Sequence, residues 1–151
     1  MVEVSGREYL DFAPEEVFTA GIRAEVWPIV EGLLLQPQEE ILALGGLMSV
    51  GLSMQALKIG LPGSVTIFEH GRTIVIEGES RLAAARIEFE LANDRRHNGT
   101  QVDYALTVWP RSLATKLAEP AIRKFIAAAV PSFTTGYTKN VSNFLLKQVT
   151  L

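Results

Sequence analysis

Residues 113–145 read LATKLAEPAIRKFIAAAVPSFTTGYTKNVSNFL, and their apolar members Leu113, Leu117, Ile126, Val130, Phe133, Tyr137, Val141 and Phe144 recur at spacings of three and four. That period places them on one face of a long helix. Pro120 and Pro131 each remove an N–H and crowd the preceding turn, and Gly136 weakens the helix further, so kinks or breaks are expected at the prolines. A helix with a single apolar face needs something to cover, and the chain before it supplies a sheet.

From Glu39 to Pro110 the pattern changes to period two, with turn residues at regular intervals. We place strands at Glu39 to Leu44, Met48 to Leu57, Ser64 to Glu69, Arg72 to Gly78, Arg81 to Ala92 and Thr100 to Trp109. His70-Gly71 suits a two-residue hairpin turn, and Asn93 to Gly99 a longer polar one. In the fifth of these strands Ala85, Ile87, Phe89 and Leu91 alternate with Arg86, Glu88 and Glu90. In the sixth, Val102, Tyr104, Leu106 and Val108 alternate with Gln101, Asp103 and Thr107. One face is therefore wet and one dry, and the dry face is the one the helix covers.

The N-terminal part opens with a short strand near Glu3 to Phe12. At Ala13-Pro14-Glu15-Glu16 a proline at the first helical position and two acids in the first turn mark a helix start. Gly21 keeps that helix short, and a second one is expected from Ala24 to about Gly32, bent by Pro28. The expectation is one α+β domain over 1–151, with a curved antiparallel sheet of about seven strands around a long C-terminal helix and two short helices after the first strand.

Composition narrows the chemistry. The chain has 151 residues, no cysteine and a net charge of −3, so thiol nucleophiles, disulfides and zinc–thiolate sites are excluded. Met1 to Leu10 lacks the basic-then-apolar order of a secretory signal, and the apolar run Ile41 to Leu57 is interrupted by Gly45, Gly46 and Gly51, short of a membrane span. A cytoplasmic protein without an integral membrane segment is the expectation. Charge is divided unevenly: residues 111–151 hold six Lys/Arg against one acid, while residues 1–110 hold eight against sixteen. Lys116, Arg123, Lys124, Lys139 and Lys147 are spaced out without interleaved aromatics, which suits a solvated helix face more than a nucleic-acid surface.

The order of elements resembles the helix-grip fold of the START-like superfamily, which includes polyketide cyclases, coenzyme Q-binding proteins and the small carbon monoxide dehydrogenase accessory subunit. The resemblance rests on Phe12 to Phe18 at the strand-to-helix step, on Asn98-Gly99-Thr100 opening the last strand, and on Leu113 to Leu145 as the closing helix. These are signatures of fold, not of activity. The resemblance implies a hydrophobic cavity between sheet and helix that holds a lipid, a quinone or an aromatic polyketide-like molecule. A cyclase-like enzyme and a non-catalytic accessory module, with a protein partner or a homodimer, are the alternatives it leaves open.

No catalytic constellation is visible. His70 and His97 fall in expected turns with no carboxylate at ligand spacing on a shared element, so neither a metal site nor a general base is assigned. Gly45-Gly46 and Gly51 lack the Lys-Ser/Thr of a phosphate loop and read as a turn and a strand kink. No cofactor is implied. The candidate ligand-lining residues are on the dry face: Tyr104, Phe89, Ile87 and Leu106 from the sheet, Tyr137, Phe133 and Val130 from the helix, and Met54. The two phenols each offer a polar tip on an apolar body, suited to orienting a ligand oxygen. Trp27, Trp109, Met48 and Phe125 are further lining candidates.

Overall fold

The computed structural model describes residues 1–96 and 98–149. Strand β1 (Val2–Leu10) leads through Ala13 into helix α1 (Pro14–Gly21), where Glu15 and Glu16 occupy the first turn and Val17, Phe18 and Ala20 are buried. The Glu16 carboxylate accepts from the Ala13 amide at 3.4 Å, satisfying one of the donors a helix start leaves open. Of the second expected helix, only a single 3₁₀ turn forms, Ala24–Val26. Pro28 lacks an N–H and forces the residue before it out of the helical region, and Trp27 accordingly lies at φ −75°, ψ 115°.

The chain then enters β2 (Leu33–Pro37), a strand the sequence reading missed, while Glu39 to Leu44, expected as a strand, is a loop. Both segments carry a short apolar run, Leu33 to Leu35 and Ile41 to Leu44. Pro37 sits at the end of the β2 ladder, and the following loop instead bonds back to the segment after α1, Ala24 N–H to Glu40 and Leu42 N–H to Ile22, both at 2.8 Å. The long strand expected over Met48 to Leu57 is divided: β3 (Leu47–Met54) turns at Gln55-Ala56 into β4 (Leu57–Gly60), which folds back on it from Met54↔Leu57 to Gly51↔Gly60.

Next come β5 (Gly63–Glu69), β6 (Thr73–Glu79), β7 (Ala83–Asp94) and β8 (Gly99–Pro110). The loop at His70 spans three residues rather than two, because Glu69 pairs with Thr73. Gly71 takes φ +74° there. The expectation that His97 lies in the next hairpin concerns a residue outside the described ones.

The sheet runs β1-β8-β7-β6-β5-β3-β2, antiparallel throughout, with β4 added to β3 off that path. Helix α2 (Leu113–Leu117) is capped by Ser112, whose hydroxyl accepts from the Thr115 amide at 3.1 Å. The Thr115 hydroxyl donates to the Leu82 carbonyl at 2.7 Å, so the inward side of this turn is polar. Leu113 and Leu117 consequently point away and are each 74% exposed, contrary to the expected stripe.

Helix α3 (Glu119–Val149) carries the rest of the stripe. The break expected at Pro120 exists, with Pro120 placed in the first turn of α3, where its missing N–H costs nothing. At Pro131 the chain stays helical. The buried face is Ile122, Ile126, Val130, Phe133, Tyr137, Val141 and Leu145, so its ends are Ile122 and Leu145 in place of the expected Leu113 and Phe144. Phe144 lies half-buried beneath the Arg23 guanidinium, 5.0 Å from the ring centre.

Two polar contacts register α3 along edge strand β1: the Met1 amino group meets Glu119 at 2.7 Å, and the Thr135 hydroxyl meets Glu8 at 3.4 Å. Asn140 donates to the Val26 carbonyl at 3.0 Å and holds the far half of the helix to the 3₁₀ turn. No helix among the described residues is long and apolar enough to cross a membrane.

Candidate ligand site between the sheet and helix α3

The dry face of the sheet and the buried face of α3 meet around an apolar void. Its walls come from β2 and β3 on one side, through Leu33, Leu35, Val50 and Leu52, and from β7 and β8 on the other, through Ala85, Ile87, Phe89, Leu106 and Val108. Val130, Phe133 and Thr134 of α3 close it. The void measures about 40 Å³ and its surface is wholly apolar. That is room for a few water molecules, far below the several hundred Å³ of a small-molecule pocket.

Of the eight residues expected from the sequence, six border this void: Tyr104, Phe89, Ile87, Leu106, Phe133 and Val130. Met54, near the end of β3, does not. Tyr137 borders a separate crevice of about 10 Å³ with Val17, Phe18 and Ile74. The sequence reading missed the β2 wall, although the uninterrupted Leu33-Leu34-Leu35 was its signal: a short apolar run bounded by Gly32 and Pro37 reads as a buried strand once its length is weighed.

The two phenols are spent differently. The Tyr137 hydroxyl donates to the Gly21 carbonyl at 2.9 Å, and burial raises its pKa well above the usual 10.0. Tyr104 stands directly opposite Gly6 in the β1–β8 ladder, and its hydroxyl lies over that glycine so closely that a Cβ on residue 6 would collide with it. The ring of Tyr104 thus contributes to the void wall while its oxygen is carried past it, toward β1. That oxygen makes no hydrogen bond among the described residues.

Aromatic packing stiffens the floor of the site. Trp27 meets Phe133, Tyr137 and Phe89 edge-on with ring centres 5.6–5.8 Å apart. Trp109 is a different matter: it lies on the outer, solvated face of β8, 39% exposed, and not in the cavity. Phe125 packs on Gly32 in the segment leading to β2, and Met48, buried in β3, borders no part of the void.

His70 is exposed, edge-on to Phe18 at 5.0 Å, with its Nε2 3.8 Å from Glu15. No group of three metal-ligating side chains occurs among the described residues. Gly51 lies where the β4 backbone crosses closely, so a side chain there would strike the Ile59 carbonyl, in keeping with a structural glycine. On the basic segment, Arg123 donates to the Met1 carbonyl at 3.4 Å and lies 3.9 Å from Glu119, and Arg111 pairs with Glu79 at 2.9 Å.

No protein-family model matches the chain. No curated protein sequence matches it either. Solved structures do. The TTHA0849 protein from Thermus thermophilus superposes with a TM-score of 0.67 at 16% identity, covering 92% of this chain and 96% of its own. The protein of unknown function SA2116 from Staphylococcus aureus gives 0.65 at 11%, covering 96% of each. Ara h 8.0201 gives 0.56 at 12%, covering 96% of this chain and 97% of its own. Likeness at these identities is likeness of fold, and it agrees with the curved antiparallel sheet, the short helical segments after β1 and the long closing helix: this is a helix-grip fold.

Proposed function

We propose, with the helix-grip fold as premise, that the protein binds a small hydrophobic ligand, of the lipid, quinone or aromatic polyketide-like kind, between its sheet and helix α3. One observation carries the reading: the void at the meeting of β2, β3, β7, β8 and α3 has an entirely apolar wall and is left unfilled. An unfilled apolar space of 40 Å³ costs about 1 kcal/mol at ~24 cal/mol per Å³, a cost that a hydrocarbon guest removes. Guest burial then adds roughly 25 cal/mol per Å² of apolar surface before ordering costs.

The void is too small to admit such a guest without movement, so β2 and α3 must part. Two features favour that opening. Pro131 leaves α3 one hydrogen bond short, one residue from the wall residue Val130. The segment Pro28 to Gly32 crosses α3 and leads into β2, with Pro28 resting on Gly136 and Gly32 on Phe125, and its Ile29 is 92% exposed. Cyclase-like catalysis asks for a polar group inside the site, and both candidate phenols direct their oxygens elsewhere. Binding is therefore the preferred reading.

Native mass spectrometry of protein purified from its own host tests it. A recurrent lipophilic adduct is expected, and Ala85→Leu, which fills the void from β7, should abolish the adduct while keeping the thermal midpoint. Protein that is always empty, and that takes up no lipophilic probe in saturable fashion, would reject the proposal.

A further inference from the structure

We infer that the guest buries a hydrocarbon segment with no polar group along its length, and that any polar group it carries sits at one end, at solvent beside Leu34. The inference rests on the binding reading above and narrows it. Every side chain that could donate to a buried oxygen or answer a charge is absent from the wall, already used as a donor, or turned away from it. No Asp, Glu, Lys, Arg, His, Asn or Gln borders the void. Thr134, 4% exposed, is the one hydroxyl-bearing aliphatic side chain there, and it donates to the Pro131 carbonyl at 3.1 Å. The Tyr104 oxygen is turned over Gly6.

The backbone of β3, β7 and β8 offers nothing more, because these inner strands spend their N–H and C=O groups in ladders such as Ile87↔Leu106, and the row of groups that no strand pairs lies along the outer side of edge strand β2, beside Leu34. Leu34, on the edge strand, is the one exposed residue of the lining, and on that ground the mouth of the site is placed beside it.

A hydroxyl or carbonyl carried into such a wall loses its water without gaining a partner. At about 1–3 kcal/mol for an unsatisfied group, each internal oxygen weakens binding by roughly five- to 150-fold. An internal charge costs far more than that. A guest with oxygens spread along a fused aromatic skeleton is disfavoured, whereas an alkyl or isoprenoid chain with its polar end outside is accepted.

Isomers of one compound separate the terms. The hydrocarbon probe diphenylhexatriene is bound to the full chain and displaced with decane, with decanol bearing a terminal hydroxyl, with the decanol isomer bearing it at mid-chain, and with a hydroxylated anthraquinone. Decane and the terminal alcohol should displace the probe within a few-fold of each other, the mid-chain alcohol about tenfold more weakly, and the anthraquinone not measurably. If the mid-chain alcohol or the anthraquinone competes as well as the terminal alcohol, the polarity inference is overturned while the binding reading survives. If no compound, the probe included, binds saturably, both are overturned.

Discussion

The hydroxyl of Tyr137, in the middle of α3, donates to the backbone carbonyl of Gly21 at the end of α1, 116 residues earlier in the chain, at 2.9 Å. The same carbonyl accepts the Trp27 indole N–H at 3.0 Å, so both of its lone pairs are used. A helix-terminal carbonyl that would otherwise be buried without a partner thereby joins α1, the 3₁₀ turn and α3. Gly21 is required at this point, since a Cβ would fall on the Tyr137 oxygen.

Because Trp27 remains, Tyr137→Phe leaves the Gly21 carbonyl satisfied. The expected loss is about 1 kcal/mol, the net worth of one neutral hydrogen bond. Gly21→Ala should cost more, about 2 kcal/mol or above, because the new methyl displaces the phenol itself. Urea unfolding of the two variants checks the order, and equal losses would contradict it.

Alkaline stability depends on the same phenol. Its folded-state pKa is raised by burial, so the folded protein holds a proton that the unfolded chain releases from about pH 10.0 upward. The contribution is complete below pH 10.0 and declines progressively as pH rises above it. Urea midpoints measured on either side of that pH should fall more steeply for the native chain than for Tyr137→Phe. Parallel slopes would show that Tyr137 does not titrate on unfolding as its burial demands.

At Pro131 a helix interior tolerates the residue least suited to it. Pro131→Ala restores an N–H and relieves the crowding of the preceding turn, and should raise stability by about 1–3 kcal/mol. Thermal melts read this directly. If the opening of the site uses the weakness at Pro131, the same variant should release a bound lipophilic probe more slowly.

Gly32 stands at φ +80°, with Ser53 and Phe125 against the place a side chain would occupy. Its carbonyl accepts the Ser53 amide at 2.8 Å. Gly32→Ala should cost about 1–3 kcal/mol through backbone strain and displaced neighbours. Faster hydrogen exchange at the Ser53 amide is the local signature, and unchanged protection there would argue that the Pro28 to Gly32 segment absorbs the side chain without moving.

Much of the fold was legible because period carries it. Ile87-Glu88-Phe89-Glu90 and Val102-Asp103-Tyr104 leave no doubt about which side chains share a face, and Pro14-Glu15-Glu16 marks a helix start by local physics alone. The errors fell where two segments offered the same local pattern. Leu33 to Leu35 and Ile41 to Leu44 both suit a strand, and the choice went to the one that finds a partner in β3. Leu113 and Leu117 keep helical spacing, yet the hydrogen bond from Thr115 to Leu82 turned their side of α2 outward.

The sequence by itself determined the long strands β7 and β8, the helix start at Pro14, the closing helix, the dry face of the sheet and the absence of thiol chemistry, since alternation, helical spacing and composition are properties of neighbouring residues. Tertiary structure decided what that dry face encloses. Whether Tyr104 and Tyr137 present their oxygens to a guest depends on Gly6 and Gly21, each remote in the chain, and hydrogen-bonding groups go where a partner or an open space lies. Size is likewise a tertiary property: the space between sheet and helix is the small difference between two large packed volumes, and no local pattern reports it.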